Sequence, residues 1–355
     1  MKKLNFIVLM ACAAFLLGSC NGSSSDNNTS EGNWITSAEL PGYGRFYAVS
    51  FTIGDSVAYV GTGNDGDNYD APLKDFWKFN GNGWTSIASI PVGRQQAVAF
   101  SIGGKGYVGT GTGTYAENSG IYFKDFYAYD AATDTWSAAG QIPDFPGDAR
   151  ARATAFSVNN KGYVLTGQSS NGSILYLDMY SFNPATGSWS QEEGLPNDKR
   201  YGASAFTFDG KGYVLGGLNS SGSLSPYFFA FNPATSTWER KRQIWNATDS
   251  SYDDDWSNIR RLDAVTLVMG SNVYYMLGST SNGGSPNGTT WAYDPYNDTW
   301  DQRSSYTSDN RSARWGAVGF SILGRGFVGT GWSGGAPAYG GFDEYFPNQD
   351  LNSNN

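Results

Sequence analysis

Residues 314–331 read RWGAVGFSILGRGFVGTG, and five further stretches of the chain repeat this pattern. Each copy begins with Arg-x-x-Ala, continues as an apolar run, passes through a short turn and ends in a second apolar run closed by glycine. Glycine and asparagine tolerate the positive φ of two-residue hairpin turns, so each copy predicts two antiparallel strands. The other copies are residues 45–63, 94–111, 150–167, 200–217 and 261–278.

A tryptophan closes each of the first five repeats, at intervals of about 50 residues. Between the second strand and this tryptophan lie a variable loop, a third apolar run and a turn. Four strands in a repeat of this length are typical of propeller blades. The sequence therefore predicts an all-β, six-bladed β-propeller with four-stranded blades. The marker residues are Trp84, Trp136, Trp189, Trp238 and Trp300.

The sixth repeat lacks a tryptophan strand after its third strand. Residues 34–37 (WITS) match residues 84–87 (WTSI), which supply that strand in the first repeat. Because closure covers the edges that an open array would expose, we expect the N-terminal strand to complete the C-terminal blade. The propeller is predicted to span residues 33–347, and the polar residues 348–355 are predicted to be a disordered tail.

The order of glycine pair, tyrosine and tryptophan after an apolar strand resembles the kelch family. Gly216-Gly217 keeps the pair, whereas other copies carry Gly-Thr-Gly, as in kelch lipoproteins of Bacteroidetes type. The resemblance implies a propeller of the galactose-oxidase-like superfamily. Copper galactose oxidase activity is excluded, because it requires histidine ligands and a Tyr–Cys crosslink. The chain has no histidine, and its two cysteines, Cys12 and Cys20, both precede the propeller.

The N-terminal segment is typical of an exported protein. Lys2 and Lys3 precede an apolar run at residues 4–17, which is short for a membrane span. The sequence Leu-Gly-Ser-Cys that ends at Cys20 resembles a bacterial lipobox. It implies a signal peptide at residues 1–19, lipidation of Cys20 and a flexible tether at residues 20–32. We expect a lipid-anchored protein of the cell envelope, at the outer membrane and facing periplasm or exterior, with a conventional secretory signal as the alternative.

Composition excludes several functional classes. The chain of 355 residues has a formal net charge of −9 and no cluster of basic residues, which is unfavourable for binding nucleic acid. The absence of histidine removes the commonest general base and transition-metal ligand. Residues 64–70 carry side-chain oxygens at roughly the spacing of a calcium-binding loop. They lack a distal Glu in register, so we interpret them as a solvated turn. The sequence predicts no catalytic residue, no cofactor and no metal site. We expect the protein to be a monomer.

The first candidate site is the arginine that begins each copy. Six equivalent positions would place six guanidinium groups around one mouth of the central channel, where they would bind carboxylates or phosphates bidentately. The alternative is structural, with each arginine pairing to carboxylates and carbonyls between blades. The residues are Arg45, Arg94, Arg150, Arg200, Arg261 and Arg314.

An aspartate before the third strand distinguishes the first three repeats. Asp75, Asp125 and Asp178 occupy this position, whereas the later repeats do not have an acid there. Our hypothesis is that these aspartates neutralise the first three arginines and leave the last three more available to an anionic ligand.

The second candidate site is the long connection at residues 239–260. It contains Trp245, Trp256 and three consecutive aspartates, and long loops in compact domains are often functional. Its aromatic side chains could stack on a sugar, or its acids could satisfy the arginines and plug the channel. Trp332, in a loop between strands two and three, is a further aromatic candidate.

These features favour a binding module over an enzyme. The predicted partner is a glycan, an anionic small molecule or an envelope protein, with the membrane contacted only through the lipid anchor. The family resemblance implies a second possibility, a sugar epimerase similar to sialic acid mutarotases, with Glu239 or residues 253–255 moving protons. A third possibility is a purely structural protein–protein scaffold.

Overall fold

A computed structural model describes residues 31–67, 71–115, 118–245, 259–309, 311–334 and 338–352. Within these ranges, six antiparallel sheets of four strands each follow the repeats of the sequence. Blade one contains β2 (Val49–Ile53), β3 (Val57–Gly61), β4 (Phe76–Phe79) and β5 (Trp84–Ile87). Blade two contains β6 (Val98–Ile102), β7 (Lys105–Gly109), β10 (Phe126–Asp130) and β11 (Thr135–Trp136). Blade three contains β12 (Thr154–Val158), β13 (Lys161–Leu165), β14 (Met179–Asn183) and β15 (Ser188–Glu192).

The other three blades have the same order of strands. Blade four contains β17 (Ser204–Phe208), β18 (Lys211–Leu215), β20 (Phe228–Asn232) and β21 (Thr237–Arg240). Blade five contains β22 (Val265–Met269), β23 (Asn272–Met276), β24 (Thr290–Asp294) and β25 (Thr299–Arg303). Blade six contains β26 (Val318–Ile322), β27 (Arg325–Gly329), β28 (Phe342–Asp350) and β1 (Glu31–Thr36).

In the described residues, the connections between the blade strands contain three short elements. Two are small pairs, β8 (Thr112–Tyr115) with β9 (Asn118–Tyr122) and β16 (Arg200–Tyr201) with β19 (Leu218–Asn219). The third is a 3-10 turn at Tyr306–Asp309. No helix in the described part of the chain is long and apolar enough to cross a membrane.

The six innermost strands form a closed ring. They contact one another in the cyclic order β2, β6, β12, β17, β22 and β26, and β26 returns to β2. This arrangement confirms the predicted six-bladed propeller. Blades one to four each pack a Phe of strand one on a Tyr of strand two, as in Phe206 and Tyr213, whose ring centroids are 4.6 Å apart. A Cβ at Gly106 would lie 2.1 Å from the Phe51 ring of the preceding blade, so close packing of blades requires glycine there.

Ring closure by the N-terminal strand is also confirmed. β1 pairs antiparallel with β28, and Trp34 lies opposite Tyr345. The pairing continues to Glu31 and Asp350, so β1 begins within the predicted tether and β28 extends into the predicted disordered tail. The extension has a physical reason, because an additional ladder pairing satisfies backbone groups that a disordered tail would leave to water.

The two faces of the propeller differ. We call the upper face the side that holds the arginine of each repeat and the loops between strands two and three. The lower face holds the hairpins between strands one and two. A central channel of about 730 Å³ runs along the inner strands and is lined mainly by small residues, including Ala99, Ala155, Ala205 and Gly319.

Candidate functional site

The arginines of the first three repeats are buried clamps within their own blades. Arg94 donates from Nη1 to the Thr110 carbonyl at 3.1 Å, and from Nη1 and Nη2 to the two carboxylate oxygens of Asp125 at 2.9 and 3.1 Å. Arg45 and Arg150 make the same bidentate contacts, at 2.8 and 2.7 Å to Asp75 and at 2.6 and 2.9 Å to Asp178. The predicted pairing of these aspartates is confirmed.

The Asp75 carboxylate shows the electrostatic effect of the clamp. Burial raises its pKa, but hydrogen bonds from Arg45 and from the Trp77 indole outweigh that effect and hold the pKa below its usual value. The ionised form is therefore the stable one in the folded protein.

The second half of the hypothesis is contradicted at two of the three later arginines, which also have carboxylate partners. Arg200 pairs with Asp198, and Arg314 lies 3.7 Å from the Asp343 carboxylate and donates to the Tyr306 hydroxyl. These partners come from sequence positions other than the one before strand three.

Arg261 is held chiefly by neutral oxygens. Its Nη1 donates to the Thr289 carbonyl at 2.9 Å and its Nη2 donates to the Thr289 hydroxyl at 2.8 Å. Burial lowers its pKa to about 10. All six repeat arginines are at most 5% exposed, so the structure favours their structural interpretation over a ring of guanidinium groups facing a ligand.

A backbone hydrogen bond between neighbouring blades explains why each repeat ends in glycine. In each blade the glycine that closes strand two donates its N–H to the carbonyl of the arginine in the next blade, at 2.7–2.9 Å. At Gly331 the φ angle is +96°, and an added Cβ would lie 3.1 Å from the Arg314 side chain. The six joints are Gly63 to Arg94, Gly111 to Arg150, Gly167 to Arg200, Gly217 to Arg261, Gly278 to Arg314 and Gly331 to Arg45.

A second backbone ring surrounds the upper mouth of the channel, and we call it the mouth ring. Its members lie two residues after each arginine and all have φ between 52° and 62°. Each N–H donates to the carbonyl of the preceding member at 2.8–3.4 Å, and Tyr47 closes the circle on Gly316 at 2.8 Å. The members are Tyr47, Gln96, Arg152, Gly202, Asp263 and Gly316.

The side chains of the mouth ring break its six-fold symmetry. Alternate blades carry Tyr47, Arg152 and Asp263, which converge over the channel axis. Arg152 pairs with Asp263, with Nε 3.3 Å from Oδ1, and the Tyr47 hydroxyl donates to Asp263 Oδ2 at 3.3 Å. The glycines provide the necessary room, since a Cβ at Gly202 would lie 2.5 Å from Asp263 Oδ1.

Arg152 is held in place by several neighbouring side chains. Its Nη1 donates to Asn282 Oδ1 at 3.3 Å, and its guanidinium carbon lies 4.6 Å from the centroid of the Tyr201 ring. Burial alone would lower its pKa, but the adjacent Asp263 carboxylate more than compensates and raises it. Arg152 is therefore charged and forms an ion pair with Asp263.

Above the mouth ring the upper face forms a funnel. Its walls are the residues that follow each arginine, each paired with the residue that follows the closing glycine of the same repeat. Five of these pairs are isolated bridges, and the sixth belongs to β16 and β19. The pairs are Phe46 with Asn64, Gln95 with Thr112, Ala151 with Gln168, Tyr201 with Leu218, Leu262 with Ser279 and Trp315 with Trp332.

One side of the funnel is aromatic, and we call it the aromatic wall. Trp315 and Trp332 lie 5.4 Å apart between ring centroids, and Phe46 and Tyr47 lie 4.9 Å from Trp332 and 5.3 Å from Trp315 respectively. Phe46 is buried, whereas the other three rings are half-buried. At the level of the mouth ring there is a cavity of about 120 Å³, lined by all six members of the ring and by the alanine that follows each of them. An apolar stacking surface thus adjoins a polar, ion-paired floor.

The remaining predicted residues lie apart from this arrangement or outside the described residues. Trp245 is half-buried and lies 4.0 Å beneath the guanidinium carbon of Arg260. Glu239 is on the outer strand β21 and binds Lys211 and Lys241 at 3.2 and 3.1 Å. Residues 246–258, including Trp256 and the three aspartates, and the N-terminal segment with Cys20 lie outside the described ranges. In the described part of the chain, no group of three or more acidic residues could hold a metal ion.

Sequence reasoning found Trp332 but missed Tyr47, Arg152, Asp263 and Trp315. A usable signal was present, because all four occupy the two variable positions inside the otherwise invariant Arg-x-x-Ala frame. In a symmetric repeat, the residues that differ between equivalent positions are the ones free to serve a ligand.

Comparison with known proteins agrees with this architecture. The family model described as Kelch motif matches residues 199–242, which include the copy with the Gly216-Gly217 pair. A solved structure titled "Structure of YjhT" superposes with a TM-score of 0.68 and 17% sequence identity, covering 85% of this chain and 94% of the other. No curated protein matches the chain significantly in sequence. The fold is widespread, with 676 matching chains of solved structures, so this structural similarity does not identify a ligand. The chain is a six-bladed β-propeller that carries a kelch motif.

Proposed function

We propose that the chain is a carbohydrate-binding module whose ligand occupies the funnel on the upper face. The observation that carries the proposal is the asymmetry of the mouth ring. Six equivalent backbone positions carry three convergent functional side chains on alternate blades, beside an aromatic wall contributed by blades six and one. Scaffold positions would instead repeat from blade to blade, as the buried arginines do.

The chemistry of the funnel suits a sugar. The C–H face of a pyranose ring packs on aromatic rings, and hydroxyl groups bind planar polar side chains at its edge. Trp315, Trp332 and Tyr47 supply half-buried rings, and Arg152 and Asp263 supply the polar groups. The larger channel beneath offers mainly alanine, glycine, serine and threonine, so it has few groups that would recognise a ligand.

We expect Trp315→Ala and Trp332→Ala each to weaken binding by tenfold or more, as loss of an aromatic anchor does. The full-length protein is first screened on a glycan array, and the best ligand is then measured by isothermal titration calorimetry. Tyr296→Ala is the matched control, because Tyr296 is an exposed aromatic residue in the lower-face turn after β24.

Wild-type affinity in both tryptophan variants would contradict this site. Absence of any carbohydrate ligand, with capture of an envelope protein instead, would replace the proposal with a protein-binding role. Faster anomer exchange of the bound sugar in NMR spectra would make the module an epimerase.

We also propose that the protein is held at the cell envelope through a lipidated Cys20. The support is sequence alone, from the positive residues, the apolar run and the Leu-Gly-Ser-Cys end. We expect the wild-type protein to fractionate with membranes and to carry acyl mass on its N-terminal peptide. Cys20→Ser should abolish both, whereas Cys12→Ser should retain both because that residue leaves with the signal peptide. Equal fractionation of the two variants would contradict lipidation.

A further inference from the structure

We infer that the funnel selects an uncharged carbohydrate and discriminates against acidic sugars. The inference rests on the proposed carbohydrate-binding function and adds the ligand class. It departs from the simplest expectation for an arginine-rich mouth, which is an anionic ligand.

Charge is balanced at the mouth of the channel. The repeat arginines are buried behind the funnel and bonded to carbonyls, hydroxyls and carboxylates. At the mouth itself, Arg152 is paired with Asp263, and both side chains are nearly buried, at 7% and 10% exposure. The net charge of this floor is zero. The chain as a whole carries −9, which further disfavours approach of an anion.

The Arg152–Asp263 pair retains hydrogen-bonding capacity. A guanidinium has five N–H donors, and a carboxylate accepts about four hydrogen bonds. Arg152 donates from Nε and Nη2 to Asp263 and from Nη1 to Asn282. Asp263 accepts two bonds from Arg152 and one from Tyr47. These bonds leave two N–H donors of Arg152 and one acceptor position of Asp263 unused, which suits a hydroxyl group, since a hydroxyl both donates and accepts.

An anionic ligand would bind unfavourably beside the Arg152–Asp263 pair. A ligand carboxylate could bind Arg152 fully only by displacing Asp263, and it would then leave that nearly buried carboxylate unpaired. Removing the partner of a buried charge is strongly unfavourable. If Asp263 stayed in place, the two carboxylates would repel each other at short range.

The test uses pairs of sugars that differ only by oxidation at C6. We would titrate glucose against glucuronate, galactose against galacturonate and mannose against mannuronate, as their methyl glycosides. For the pair that the wild-type protein recognises, we expect the neutral sugar to bind at least about tenfold more tightly than the uronate. Its affinity should change less than about twofold when salt is raised from about 0.05 to 0.5 M, because no net charge is neutralised.

Asp263→Asn is the decisive variant. It removes the repelling carboxylate and leaves Arg152 with excess positive charge, so we expect the preference for the neutral sugar to fall by about tenfold or to reverse. Asp209→Asn, at an exposed lower-face hairpin, changes the net charge equally and should leave the preference intact. If Asp263→Asn fails to fold, the wild-type preference and its salt dependence still decide the question.

The outcomes separate the two proposals. A uronate that binds wild-type protein as well as or better than its neutral partner would overturn the inference and leave the carbohydrate-binding function standing. A protein that binds no sugar of either kind, in the pairs or on the array, would overturn both.

Discussion

Replacement of Arg94 by alanine is expected to lower the free energy of unfolding by about 3–5 kcal/mol. The guanidinium is fully buried and donates to Asp125, to the Thr110 carbonyl and to the Val92 carbonyl. Its removal leaves all three acceptors without their donor and creates a cavity beside the strands of blade two. Arg94→Lys should recover little of the loss, since an ammonium group cannot reproduce the bidentate contact.

Urea denaturation followed by tryptophan fluorescence measures the effect. Lys105→Ala provides the control, because Lys105 also pairs with an aspartate, Asp130, but is 48% exposed. Exposed pairs contribute at most about 1 kcal/mol. A loss at Arg94 no larger than at Lys105 would refute the clamp and restore ligand binding as the reason for the repeated arginine.

Trp34→Ala should also cost about 3–5 kcal/mol, as large-to-small changes of buried aromatic residues do. Trp34 is fully buried in the closing strand. It packs edge-on against Tyr306 at 4.8 Å and against Tyr345 at 4.5 Å between ring centroids. Because this strand joins the two ends of the ring, the variant tests whether ring closure stabilises the whole propeller.

Ile35→Ala is the matched control for Trp34→Ala. Ile35 is the next residue of the same strand, points to the opposite side and is 37% exposed. We expect it to change the free energy of unfolding by less than about 1 kcal/mol. Equal effects of the two substitutions on the thermal midpoint would show that the strand contributes through its backbone pairing rather than through the buried indole.

The propeller could be predicted from sequence because its determinants are local and repeated. An Arg-x-x-Ala start, a hairpin turn and a closing glycine recur in order, and the count of tryptophans identifies the blade that lacks its own fourth strand. The structure explains why these residues repeat. The arginine carbonyl and the glycine N–H form the joint between blades, so each blade needs the same pair.

The site could not be predicted in the same way, because it depends on residues that meet across the ring. Arg152 and Asp263 are 111 positions apart in sequence, and no local pattern indicates that blades three and five place them face to face. The partners of Arg200 and Arg314 were missed for a related reason. Asp198 and Asp343 reach the same clamp from other backbone positions, so alignment of repeats does not reveal them.

The pairing of the closing strand determines which way the propeller faces. β1 begins at Glu31, opposite Asp350, and runs to Thr36, opposite Asp343, while Phe342 pairs with Gly329 at the funnel end of the blade. Glu31 therefore lies at the lower face, on the far side of the ring from the funnel. If the protein is held at a membrane through Cys20, as proposed, the attachment point and the candidate ligand site lie on opposite faces of the ring.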